Sequence, residues 1–182
     1  SEVDELLKTI EKLARDDVKK IREVVEENKR EVRRLEEHSK EVVKEIKDRI
    51  KEVLELLRRG ELRRKDVKKV EEELEKLVRE NKERSKEVVR RMRESNRRSE
   101  KHSRDLVREL RDRLREIAER GVEERVLERV ERLVRRLAEE SRRANEKSKE
   151  DTKRLEDRLK KSNDDLEKLV RDVVTRVREE AD

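Results

Sequence analysis

Apolar and small residues return every three or four positions from the first turn of the chain onwards. Val3, Leu7, Ile10, Ala14, Val18, Ile21, Val25, Asn28, Val32, Leu35, Ser39, Val43, Ile46, Ile50, Val53 and Leu57 trace one face, while most of the positions between them are charged. That spacing is the signature of an amphipathic α-helix. Five turns at 3.6 residues bring the same angle back after about 18 residues, so Val3, Ile21, Ser39 and Leu57 form one row. A period near 3.6 predicts nearly straight helices rather than a strict heptad coil. The same rows reappear further on: Leu74, Met92 and Leu110; Val70, Val88 and Leu106; Val67, Ser85 and Ser103; then Val130, Ser148 and Leu166, and Leu137, Leu155 and Val173.

The pattern is interrupted twice, at Gly60 and Gly121, the two glycines of a chain without proline. A helix commonly stops where glycine takes a left-handed conformation just past its last turn. The chain therefore divides into thirds, predicting helices over about 2–58, 62–119 and 123–181 within a single domain, 1–182. Ser1 is suited to cap the first helix, with Asp4 at its third position, whereas neither glycine is followed by an obvious Ser or Asp cap. Connections this short join antiparallel neighbours. The predicted fold is all-α: a single-chain, up-down-up three-helix bundle of long helices.

The apolar stripes are broken by polar residues at the same levels. If the chain folds about its glycines, facing positions in the first two helices have numbers summing to about 121, and in the last two to about 243. Asn81 then stands opposite Ser162 and near Ser39; Ser95 and Asn96 stand opposite Ser148 and near Asn28; Ser99 meets Asn145 and Ser103 meets Ser141. An unpaired buried hydroxyl or amide costs about 1–3 kcal/mol, so only a register that pairs all of them is tolerated. The predicted structural network comprises Asn28, His38, Ser39, Asn81, Ser85, Ser95, Asn96, Ser99, His102, Ser103, Ser141, Asn145, Ser148, Thr152, Ser162 and Asn163.

Composition narrows the possibilities. Charged residues make up 59% of the chain, hydrophobic ones 29% and aromatics none; a thin core between a few long helices is all that such a composition can fill. Disorder shares this charge-rich signature, but sustained periodicity argues against it. Without cysteine there is no disulfide or thiolate site. No apolar run approaches the roughly 20 residues that span a bilayer, and no signal-peptide pattern precedes Ser1. The 57 basic and 51 acidic residues leave a net charge of +6, but they are finely interspersed, with acid-to-base pairs four apart such as Glu26/Arg30, Glu72/Lys76, Glu87/Arg91, Glu109/Arg113 and Glu128/Arg132.

Candidate chemistry is sparse. His38 and His102 are the only imidazoles, and the register sets them about 19 residues, or roughly 28 Å, apart; they cannot share a metal. Both fall at the rim of the apolar arc, where an end position in a network suits them better than a ligand role. The carboxylates lie on outer faces without a pocket, and neither a phosphate-binding glycine loop nor a nucleophile elbow is present. The run from Arg90 to Arg108 is basic, but it interleaves acids and lacks aromatics for base stacking.

Near-equal helix lengths joined at single glycines, a Glu/Lys/Arg surface over Val/Leu/Ile stripes, and matched Ser/Asn layers together resemble de novo designed helical bundles with buried hydrogen-bond networks. The resemblance covers the whole chain. It implies an engineered scaffold with no natural biochemical function, no enzymatic activity, cofactor or metal, and no required partner. The expected state is a soluble monomer, free to self-associate, without a targeting signal, a membrane or a specific nucleic acid, made by recombinant expression in the cytoplasm. Two alternatives are a natural coiled-coil rod or signalling stalk with a polar hinge, and a basic nucleic-acid-binding module. Natural rods carry irregular stutters and aromatics; phosphate binding would weaken steeply with salt.

Overall fold

The computed structural model describes residues 2–181. Three helices, α1 (Glu2–Arg58), α2 (Arg64–Glu119) and α3 (Glu124–Glu180), follow one another without strands among the described residues. They form an antiparallel up-down-up three-helix bundle. Ser1, expected as a cap, lies outside the described residues, as does the side chain of Val3.

Both connections are built by their glycines. Gly60 has φ 68° and Gly121 φ 81°, the left-handed region that a Cβ disfavours. At the end of α1 the Glu61 N–H donates to the Leu56 carbonyl (2.9 Å) and the Gly60 N–H to that of Leu57 (3.1 Å), which is a Schellman closure. At the end of α2 the Gly121 N–H donates to the Ala118 carbonyl (3.2 Å).

The second helix starts at Arg64 rather than about 62, and its cap is an acid three positions in rather than a Ser or Asp at the boundary. The Asp66 N–H donates to the Arg63 backbone carbonyl (2.9 Å) while the Arg63 N–H reaches back toward the Asp66 carboxylate (3.4 Å); the second bond is the acid's half of a capping box, with no side-chain acceptor at Arg63 to complete it. Leu62, just before the cap, and Val67, just after the first turn, both join the core, so the chain entering α2 is held by an apolar staple. Glu123 caps α3, its carbonyl accepting from the Val126 and Leu127 N–H groups (both 3.1 Å).

Side-chain packing forms two compact units. One comprises Arg30–Arg90, with the Gly60 connection, and 154–182. Its core runs through Val42, Ile46, Ile50 and Val53 of α1, Val67, Val70, Leu74 and Val78 of α2, and Leu166, Val170, Val174 and Val177 of α3. The other comprises the chain up to Lys29 and Arg91–Lys153, with the Gly121 connection; its smaller core is Ile10, Leu110, Val130, Val134 and Leu137. Each buried Val, Leu or Ile contributes about 1.5–3 kcal/mol relative to exposure. No large hydrophobic side chain is exposed among the described residues.

Candidate functional site: buried polar networks

The helix angle of each polar residue decides whether it meets partners. Asn28 shares a five-turn row with Ile10 and Ile46, and all three are buried; Asn163 falls in the row of Asn145 and Ala181, also buried. Such positions point at the neighbouring helices. Their amides and hydroxyls join three hydrogen-bond networks, two in the unit with the Gly121 connection and one in the unit with the Gly60 connection, each drawing on all three helices.

In the unit with the Gly121 connection, Asn96 is the centre of the first network. Its Oδ1 accepts from Asn28 Nδ2 (3.2 Å) and Ser148 Oγ (2.8 Å), while its Nδ2 donates to Thr152 Oγ1 (2.7 Å). The Thr152 hydroxyl in turn donates to the Ser148 backbone carbonyl (2.9 Å). The second network starts at Ser99, whose hydroxyl donates to Asn145 Oδ1 (2.9 Å); Asn145 Nδ2 donates to Ser103 Oγ (3.1 Å), and Ser103 donates to Asp17 Oδ2 (3.0 Å). Ser141 donates to the same oxygen at 2.6 Å.

In the other unit Asn81 bridges α1 and α3. Its Oδ1 accepts from Ser39 Oγ (2.9 Å) and its Nδ2 donates to Asn163 Oδ1 (2.9 Å); Asn163 Nδ2 donates to Ser85 Oγ (3.0 Å), which returns a bond to the Asn81 carbonyl (3.0 Å). The ring closes on itself.

Four expected members stand apart. Ser162 is exposed and Asn163 takes its place opposite Asn81, because one residue turns the side chain through about 100°. Across α2 and α3 the bonded pairs 81/163, 96/148 and 99/145 each have numbers summing to 244, one residue beyond the expected register. Ser95 and His38 are half-buried and join none of the three networks. His102 is half-exposed, with Nε2 3.8 Å from Asp17 Oδ1, an approach rather than a hydrogen bond.

Asp17, and not the Val18 expected from the stripe, is the buried residue at this level of α1. The carboxylate is buried, its side chain 1% exposed, whereas Val18 is only half-buried. A signal was present: Asp17 lies five turns before Leu35 and ten before Val53, and all three are buried. Its Oδ2 receives two hydroxyls, but Oδ1 is the one buried side-chain polar atom without a hydrogen-bond partner among the described residues.

Outside the networks the surface is laced with ion pairs. Arg49 bridges Glu52 (2.8 Å) on its own helix and Glu73 (2.9 Å) on α2, and the hydrogen bonds it donates to both glutamates, Glu52 first, raise its pKa against the opposing effect of burial. Lys82 joins Glu167 (3.0 Å), which holds the ammonium pKa up. Arg178 with Glu71 and Arg158 with Glu36 tie α3 to its neighbours in the same unit. Glu109/Arg113 forms as a pair at 3.4 Å. The clefts between these side chains are open grooves of about 550–600 Å³. Among the described residues no three His, Asp or Glu side chains converge on a metal position, and no helix is long and apolar enough to cross a membrane.

No protein-family model and no curated protein sequence matches the chain. A solved structure described as a computationally designed three-helix bundle is similar over 97% of this chain and 86% of its own, at 16% identity and a TM-score of 0.55. That likeness is one of fold.

Proposed function

We propose that the chain, taken as one domain over 1–182, is an engineered structural scaffold whose buried networks specify which helices pair and in which register. The observation that carries this is that every network spans α1, α2 and α3, and that a single buried side-chain polar atom is left unmatched among the described residues. A slip of one residue would turn each amide away from its partner, and each orphaned group would cost about 1–3 kcal/mol. Apolar contacts alone discriminate far less, because Val, Leu and Ile pack acceptably in several registers. The likeness to a designed bundle supports the reading, as does a surface with no exposed large hydrophobic side chain among the described residues. A monomer without substrate, cofactor or required partner follows from it.

The test is to make α1, α2 and α3 as separate peptides and mix them in equal amounts. The parent set should assemble one-to-one-to-one by native mass spectrometry. A set with Asn28, Asn81, Asn96, Asn145 and Asn163 changed to Leu and Ser148 to Ala should give mixed and higher assemblies. Identical distributions from both sets would refute the role assigned to the networks.

A further inference from the structure

The basic stretch in the second half of α2 is not used by the networks, and the structure arranges it along a groove. In the unit that holds Asp17, α2 and α3 border a cleft of about 560 Å³ whose floor includes the half-buried Val107 and Ala138. Arg104, Arg108, Arg111 and Arg115 line it from α2. They sit at i, i+4, i+7 and i+11, so they share one helix face and climb about 16 Å at 1.5 Å per residue.

What separates these arginines from the other cations of the cleft is the absence of a counter-charge. Arg142 is held by Glu139 and Glu146, and Lys149 by Glu100. Arg104, Arg108, Arg111 and Arg115 form no ion pair among the described residues, and all four are exposed. The neighbouring Asp112 pairs with none of them. Four uncompensated guanidinium groups in a row reinforce one another's potential, and each presents a planar fork matched to two oxygens of one phosphate.

We infer that this groove binds a linear inorganic polyphosphate chain, lying along α2 with successive phosphates on successive arginines. The ligand class follows from charge and from what is missing. A ligand touching all four arginines gains from each contact after the first without a further loss of translational freedom, which a single small anion cannot do. Nucleic acids also carry phosphates in a row, but single strands are usually held by stacking on aromatic side chains, and this chain has no aromatic residue. The site is independent of the scaffold role proposed above.

The experiment is titration calorimetry of the full chain with sodium polyphosphate at low salt, in the parent and two quadruple variants. R104Q/R108Q/R111Q/R115Q should weaken binding at least about tenfold and flatten its dependence on salt. R125Q/R129Q/R132Q/R136Q removes the same charge at the same helical spacing from exposed positions of α3 that do not line this groove; it should change affinity by less than about threefold. Both variants alter exposed side chains, and circular dichroism confirms that each is folded. Equal losses in the two variants would reduce the effect to net charge and overturn the site. Orthophosphate binding as tightly as the polymer would overturn the extended ligand. An oligothymidylate of matched charge binding more tightly through the same four arginines would transfer the groove to nucleic acid and likewise overturn the assignment.

Discussion

A buried carboxylate that accepts two hydroxyls on one oxygen and nothing on the other is held by its partners more than it stabilises them. Asp17 is such a group: Ser103 and Ser141 both donate to Oδ2, and Oδ1 has only the half-exposed His102 nearby. Removing it alone strands two hydroxyls, so Asp17→Ala should destabilise the protein by about 1–3 kcal/mol even though an unmatched oxygen leaves with it. The fivefold change Asp17→Leu, Ser99→Ala, Ser103→Ala, Ser141→Ala, Asn145→Leu removes the donors and acceptors of this network together. It should melt at or above the parent temperature, because apolar replacement of a whole polar cluster is commonly neutral or stabilising. Chemical denaturation of both variants decides the matter, and a fivefold variant weaker than the single one would contradict this view of the network.

At the level of the helix, the ends are set by a few residues with separate roles. A Cβ built on Gly60 meets nothing within 4 Å, so the cost of Gly60→Ala comes only from its left-handed backbone, about 1–2 kcal/mol. Gly60→Asn should cost clearly less, since Asn tolerates that conformation; equal losses in thermal melts would mean that the turn rests on something else. The surface pairs within helices act on pH dependence. Hydrogen bonds from Arg58 and Arg142 hold the Glu55 and Glu139 carboxyls below their ordinary value of 4.5. A carboxyl with a depressed folded pKa contributes stability that is complete above its unfolded pKa and is lost as pH falls through the folded value. These pairs should therefore be silent from pH 5 to 7 and weaken the protein only below about 4.5. The two side chains are 43% and 44% exposed, so the effect is small and screened by salt. A Glu55→Gln, Glu139→Gln variant should show a shallower loss of melting temperature from pH 5 to pH 3 than the parent, and parallel curves would exclude these pairs as its source.

For the molecule as a whole, the stripes of the three helices are consumed by one another, and the faces left over are charged. Stable self-association needs a buried apolar patch. Sedimentation equilibrium at micromolar concentration should accordingly return the 22.2 kDa mass of one chain, and twice that mass would show that a face described here as solvated is an interface.

The number of helices, their antiparallel order and most of their buried rows were legible in the sequence, because a 3.6-residue period and two glycines are local features that any neighbour must respect. The layering of Asn28, Asn81, Asn96 and Asn145 could be seen for the same reason: they interrupt rows whose other members are apolar. Three things depended on tertiary structure. Choosing Asn163 over Ser162 and Asp17 over Val18 required the facing register to within one residue, and a hairpin drawn from its glycine alone leaves an uncertainty of about that size, or about 100° of side-chain direction. The capping of α2 by Asp66 depended on where Leu62 is buried. The donor and acceptor order within each network was settled only when three helices converged, since an amide has no preferred partner until its neighbours take positions around it.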